Sequence, residues 1–224
     1  MQEAVFAARL SRFLCRVMLS GVPVDVHVPN TGRLLFLREG ARCLLRPAAA
    51  PGRKTAWDLF AAEDAGTLVC VDSLMPNRIA EEVLTEEFAR THPGTVLKRE
   101  VTLGPSRLDF AADTPQGLLA VEVKGSTLVR GGCAYFPDAP SARAVKHMHH
   151  LLSLHQQGAD ARVLFVICRG DAEAFSPESS IDPAFTEAFL AAHRAGVQAL
   201  ALRCCVSEEG IHPDRYLPIL LPGR

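Results

Sequence analysis

No C-x-x-C pair occurs in this 224-residue chain, although it carries seven cysteines (Cys15, Cys43, Cys70, Cys133, Cys168, Cys204 and Cys205). An odd number without paired spacing excludes a disulfide framework and a zinc knuckle. Most of these thiols sit in apolar, strand-like runs, where cysteine serves as a small hydrophobe, and they suit a reducing compartment. Long hydrophobic runs are also missing. The most prominent unbroken stretch, Val163 to Cys168, is far too short to span a bilayer. Arg9, Arg12 and Arg16 interrupt the apolar residues near the start, so no signal-peptide core forms. A soluble cytoplasmic protein with no membrane partner is expected. Net charge is nearly absent too, at −1, which argues against a protein that coats nucleic acid along its whole surface. There is no internal repeat and no low-complexity segment. What is present is core material: 48% hydrophobic against 22% charged residues excludes a disordered chain, and the length allows one large domain or two modest ones.

The charge is unevenly placed. Residues 1–55 hold nine basic side chains (Arg9, Arg12, Arg16, Arg33, Arg38, Arg42, Arg46, Arg53 and Lys54) against three acidic ones, which leaves fifteen basic against twenty-two acidic for the remainder. Such asymmetry suggests a polyanion-binding face on the first part; arginines spaced along solvated strand faces are the plainer alternative. The same part reads as short strands punctuated by turns: 14–19 ending at Ser20-Gly21, 22–28 ending at Pro29-Asn30-Thr31-Gly32, then 41–46 and 67–71, with a loop over 48–54. Several short strands in about 70 residues predict a small OB-type β-barrel over residues 1–75.

From Pro76 the pattern changes. Asn77 is placed to cap a helix reaching about Arg90, with Ile79, Val83, Leu84 and Phe88 as its apolar stripe. Strands are predicted near 96–103, 106–112 and 118–124, then a helix from Ser141 to about Gln157 and a buried strand 163–168. A helix from Asp182-Pro183 to Gly196 follows, and a strand 197–206. This order describes an α/β domain over residues 76–224.

The chemistry-bearing stretch is Ser106 to Lys124. Thr114-Pro115-Gln116-Gly117 has Pro and Gly at the second and fourth positions of a type I turn. The hairpin register that follows sets Asp109 opposite Glu122 and Arg107 opposite Lys124. All four then share one face, while Leu108, Phe110, Val121 and Val123 enter a core. Carboxylates opposed at roughly 5 Å between Cβ atoms repel and destabilise a hairpin. A divalent cation reverses that sign, because Mg²⁺ binds one or two carboxylates together with water and phosphate oxygens. Lys124 could approach the attacking water or the charge developing on phosphate. The alternative is a solvent-facing hairpin whose acids Arg107 and Lys124 merely neutralise.

The arrangement of Asp109, Glu122 and Lys124 after a helix bearing a glutamate resembles the PD-(D/E)xK nuclease superfamily. A wider set of blocks resembles the sugar fermentation stimulation (SfsA) family: His27-Val-Pro-Asn-Thr-Gly-Arg33, Arg53-Lys-Thr55, Pro76-Asn-Arg78, Ser106-Arg-Leu-Asp-Phe110, Val121-Glu-Val-Lys124, Phe136-Pro-Asp-Ala139, Lys146-His147 and Gly210-Ile211. These run in family order through nearly the whole chain. The resemblance implies an N-terminal OB-like barrel and a C-terminal PD-(D/E)xK restriction-endonuclease-like domain, association with DNA, and a link to sugar catabolism. Carried over by position, Asp109 and Glu122 would bind Mg²⁺ or Mn²⁺ with the Val123 carbonyl as third ligand. Lys124 would be the catalytic lysine, and Glu82 the helix glutamate, with Glu81 competing for that place. Pro137-Asp138 follows Glu122 and so cannot be the motif's Pro-Asp. Gly125-Ser126 and the run Ser141 to Val145 depart from the family's usual residues without touching a ligand position.

Asn30 and Arg33 on one loop, and Arg53 and Lys54 on another, are expected to contact phosphate. Trp57 is expected to stack on a base, with Phe13 assigned to the core. Lys146 and His147 would assist at phosphate, whereas His147, His149, His150 and His155 together read as a partly exposed helix surface rather than a zinc site. The functions implied are a metal-dependent nuclease acting on DNA or RNA, or a non-catalytic DNA-binding regulator of sugar catabolism genes that keeps the nuclease scaffold.

Overall fold

The structure, a computed structural model, describes residues 1–30, 32–48 and 53–222. Thr31 and most of the 48–54 loop lie outside the described residues.

The first strands are β1 (Gln2–Ser11), β2 (Leu14–Leu19), β3 (Val22–His27), β4 (Arg42–Pro47), β5 (Trp57–Asp64) and β6 (Thr67–Cys70), in sheet order β3-β2-β1-β4-β5-β6. β3 also pairs with β5 through His27 and Asp58, which closes a five-stranded OB-like barrel. The strands expected from the sequence are present; β1 and β5 were not foreseen. The central run of β5, Asp58 to Ala62, is buried, so it shows none of the alternation that marks a half-exposed strand. Leu59 and Ala62 enter the barrel core, whereas Phe60 and Ala61 leave it for a second core.

The remaining elements are α1 (Met75–Thr91), β7 (Lys98–Leu103), β8 (Ser106–Thr114), β9 (Gly117–Ser126), β10 (Leu128–Arg130), β11 (Cys133–Phe136), α2 (Ala142–Gln156), β12 (Asp160–Ile167), β13 (Ala174–Pro177), α3 (Pro183–Ala195), β14 (Gln198–Val206) and β15 (Ile211–Tyr216). Six strands form a mixed sheet in the order β15-β14-β12-β9-β8-β7, with β9, β12 and β14 parallel; β10, β11 and β13 form a small separate sheet. α1 packs on one face of the large sheet, and α2 and α3 on the other. The helix termini follow their capping chemistry. Ser141 accepts from the Ala144 N–H at 3.2 Å, Asp182 from the Phe185 N–H at 2.9 Å, and Gly196 takes the left-handed conformation (φ 114°) that ends α3.

The first core joins the two parts of the chain. Leu44, Phe60, Ala61 and Cys70 of the barrel pack with Met75, Ile79, Leu84 and Phe88 of α1 and with Phe110, Val121 and Val166 of the sheet. Polar contacts reinforce the junction. The Cys70 N–H donates to the Cys168 carbonyl at 2.9 Å, and the buried Arg169 guanidinium reaches Asp64 of the barrel at 2.9 Å as well as Asp171 at 2.6 Å. Burial pushes the Cys70 and Cys204 thiols up to about 12 and Cys168 well above its ordinary value, so these cysteines fill space rather than react. No helix among the described residues is long and apolar enough to cross a membrane.

A shared core predicts shared unfolding. Phe60→Ala should destabilise by about 3–5 kcal/mol, and urea denaturation followed by near-UV and far-UV signals should give one coincident transition. Two separated transitions would show that the parts unfold independently.

Candidate functional site

The turn at 114–117 forms as the sequence predicts, and the hairpin keeps the expected register: Thr114 pairs with Gly117, Ala112 with Leu119 and Phe110 with Val121. The departure comes at the next residue. The recorded pairing stops at Phe110, and the Asp109 carboxylate accepts the Val123 N–H at 2.8 Å. Alternation breaks there as well, because Phe110 enters the core beneath α1 while Leu108 enters the one beneath α2. Opposite Asp109 on β7, Glu100 has φ 55°, a conformation that costs a non-glycine residue of order 1–3 kcal/mol. The single shared face expected for Arg107, Asp109, Glu122 and Lys124 is therefore corrected: β8 peels away from β9 at Asp109. Arg107 turns to Glu100 at 2.8 Å.

Asp109 and Glu122 are approached by different helices. The Asn77 amide donates to Asp109 Oδ1 at 2.9 Å. Asn77 is not the helix cap: α1 begins two residues earlier, with Pro76 in its first turn, and Asp72 accepts the Leu74 N–H at 3.0 Å ahead of it. This frees the Asn77 side chain to reach the sheet. Pro76 in turn lies 2.7 Å from where a Cβ on Gly125 would sit, so glycine there lets α1 approach the end of β9. Glu122 is 2% exposed, and its Oε1 receives Lys124 Nζ at 2.5 Å and faces His147 Nδ1 on α2. Its other oxygen, Oε2, is buried without a hydrogen-bond partner among the described residues.

The two carboxyls are tuned in opposite directions. Burial and then the nearby Glu122 raise Asp109 above the ordinary aspartate range, with the Val123 N–H and Asn77 opposing. Burial also pushes Glu122 up, but His147 and Lys124 more than offset it and hold this carboxyl below its usual value. Among the described residues no three His, Cys, Asp or Glu side chains converge at metal spacing. The donor set is two carboxylates, one with a bare oxygen, beside the Val123 backbone. That set fits a hard cation completed by water and phosphate oxygens better than zinc.

Glu82 does not join them. It is exposed and lies toward Cys204 of β14, whereas Glu81 pairs with Arg99 of β7 at 3.2 Å. Adjacent residues on a helix point about 100° apart, which sends them to different strands. The missed contacts, Asn77 and His147, had partial signals: one lies in the Pro76-Asn-Arg78 block, the other in Lys146-His147. The expectation of a partly exposed histidine surface is corrected for His147 and His150, both of which α2 buries.

The barrel residues divide. Arg33 and Lys54 are exposed and make no ion pair among the described residues. Asn30 is spent within the fold, donating to the Val71 carbonyl just past β6 at 2.8 Å and accepting from the Gly32 N–H of its own loop at 2.7 Å. Arg53 grips Asp58 through two bonds of 2.9 and 2.7 Å, and Asp58 also holds His27 at 2.8 Å, all at the seam that closes the barrel. Trp57 packs against the barrel core, and Phe13, assigned to the core, is 47% exposed beside Arg12 with its ring over His27. Phe13 sits in the β1–β2 turn, outside the barrel core. A cavity of about 260 Å³ separates the two parts, bounded by Asn30 and Asp72 on one side and by Asn77, Val123 and Asp138 on the other.

Residues 8–71 match the SfsA N-terminal OB domain and residues 74–210 the sugar fermentation stimulation protein RE domain. The chain belongs to the sugar fermentation stimulation protein family. A sugar fermentation stimulation protein homolog of Carboxydothermus hydrogenoformans is 41% identical over 97% of this chain and 96% of its own length. The homolog of Clostridium perfringens is 39% identical over 98% and 97%. The solved structure of Pyrococcus furiosus SfsA in complex with Ca²⁺ aligns with a TM-score of 0.87 at 29% identity, over 98% of this chain and 95% of that one. The family likeness thus spans barrel and sheet together.

A raised carboxyl binds its proton more readily folded than unfolded. Its stabilising effect is present below the unfolded pKa and lost as pH rises through the folded one, so ionised Asp109 burdens the metal-free protein at neutral pH. Asp109→Asn, which keeps an acceptor for the Val123 N–H, should therefore raise the melting temperature in chelator at pH 7. The gain should fade as pH falls through the raised folded pKa and be gone below the ordinary aspartate range. A lower melting temperature at neutral pH would contradict this electrostatic reading.

Proposed function

We propose that this protein hydrolyses phosphodiester bonds of nucleic acid, DNA in the first instance, using Mg²⁺ or Mn²⁺ held by Asp109 and Glu122. The observation that carries the reading is Glu122 Oε2, a buried carboxylate oxygen with no hydrogen-bond partner among the described residues, in a side chain that raises the proton affinity of the nearby Asp109. A buried acceptor left bare is costly unless something occupies it, and a cation answers both the bare oxygen and the repulsion. Ca²⁺ in the Pyrococcus furiosus relative supports the same class of ligand, since Ca²⁺ and Mg²⁺ both take oxygen donors.

A cation at this position supplies a more acidic water and charge neutralisation at the phosphate. The chain's residues do the rest. Asn77 and the Val123 N–H fix Asp109, and His147 fixes the inner oxygen of Glu122. Lys124 holds its ammonium at the same oxygen, 13% exposed and so able to meet a phosphate entering from the groove. The buried surroundings strengthen each of these interactions relative to water. The second reading, a non-catalytic DNA-binding regulator in the cytoplasm linked to sugar catabolism, draws on the Lys124–Glu122 pair at 2.5 Å and the absence of a third carboxylate or imidazole ligand among the described residues.

A cleavage panel of single-stranded, double-stranded and structured DNA and RNA with Mg²⁺ or Mn²⁺ separates the two. Cleavage is expected, and Lys124→Ala should lower it by at least about a hundredfold while leaving binding largely intact. Binding without cleavage across the panel would favour the regulator. On the barrel, Arg33→Ala should reduce the salt dependence of binding by about one unit of log K against log salt. Arg53→Ala should chiefly lower thermal stability, because Arg53 is committed to the barrel seam. An unchanged salt slope in Arg33→Ala would remove that loop from the interface.

A further inference from the structure

Away from the carboxylate pair, the turn joining β7 to β8 lies against the outer face of α2 and encloses a cavity of about 440 Å³. Its polar lining is Ser106, Lys146, His149, His150, Ser153 and Gln157, and no carboxylate faces it. Lys146, itself exposed, is drawn over the turn by a 3.2 Å bond from its Nζ to the Pro105 carbonyl. Two polar groups in the lining are buried and have no hydrogen-bond partner among the described residues: Ser106 Oγ, in a residue 8% exposed, and His150 Nδ1, in a residue 7% exposed. A native fold rarely leaves two such groups bare in one cavity. A second cavity continues from the first through Pro105, Ser106 and Lys146 to Arg107, Arg143 and His147, again with no acid in its lining. Arg107 is paired to Glu100 at 2.8 Å. His147 ends this shelf, and its ring faces Glu122.

We propose that this shelf is a phosphate subsite that receives a backbone phosphate of the polynucleotide next to the one at the carboxylate pair. The inference rests on the function proposed above and names where that substrate continues. The chemistry is that of an anion with several acceptor oxygens. An ammonium and a hydroxyl can donate, the His150 imidazole can donate when its Nδ1 carries the proton, and along the approach stand the guanidinium groups of Arg143 and of Arg107, the latter paired with Glu100. Phosphate contacts of this kind position a strand without reading its sequence. The shelf also lies on α2 and the β7–β8 turn, so the strand would be held on the large-sheet side as well as by the barrel.

The test uses the full chain in Ca²⁺ or chelator, so that binding is read apart from cutting. Amide resonances are followed on titration with inorganic phosphate and, separately, with a labelled oligonucleotide, for the wild type, Lys146→Ala and Ser106→Ala. Ser106→Ala removes an unsatisfied buried hydroxyl, so the fold should be retained. The expected result is movement of the amides of 103–107 and 146–150 with the oligonucleotide, weaker binding in both variants, and a salt slope lower by about one unit in Lys146→Ala. Amides unmoved by the oligonucleotide, with unchanged affinity in both variants, would overturn the subsite. Movement with inorganic phosphate alone would overturn its assignment to a polynucleotide. If the wild type shows the expected movement yet cuts nothing with Mn²⁺, the subsite stands and the nuclease reading fails. If it cuts and the variants keep the wild-type KM and salt slope, the nuclease reading stands and the subsite falls.

Discussion

The structure depends on a carboxylate buried midway along β9. Glu122 is almost wholly excluded from water, and an ionised carboxylate there survives only because an ammonium and an imidazole converge on one of its oxygens. That arrangement fixes the elements around it. α2 must bring His147 to the sheet, β9 must present Lys124 two residues on, and the second oxygen is left without a hydrogen-bond partner among the described residues. Asp109 completes the arrangement by taking the Val123 N–H, so the opening between the two strands and the pair of acids have a single cause.

The barrel is part of that architecture rather than an appendage. Its outward-facing Phe60 and Leu44 share a core with α1, the helix whose Asn77 orients Asp109. Pro76 pressed against Gly125 fixes how closely α1 meets the strand that carries Glu122. The polar loop around Asn30, locked by its own side-chain bonds, borders the cavity that opens beside Val123 and Asn77. The shelf on α2 ends at His147, whose ring faces Glu122.

Much of this was legible in the chain. The turn at 114–117 set the hairpin register, the Ser141 and Asp182 caps set two helices, and short strands bounded by glycine and proline marked the barrel. Local rules failed where tertiary contacts decide. β5 carried no alternation because both its faces are buried. The face of Asp109 was misassigned because a side chain, invisible to periodicity, replaces a backbone bond in the ladder. Glu82 was a matter of helical phase, and a single residue of offset sends it toward β14. Arg53 looked like a phosphate ligand by composition alone, since its partner Asp58 and the barrel seam are formed only on closure. Phe13 and Trp57 exchanged places because exposure of an aromatic depends on what lies beneath it, which sequence does not state.

The most direct measurement is an anomalous difference map from crystals of the protein soaked in Mn²⁺. The account predicts a peak within bonding distance of both Asp109 and Glu122 Oε2, lost in Glu122→Gln. A well-ordered site with both carboxylates in place and no peak between them, or a peak held elsewhere in the chain, would contradict it.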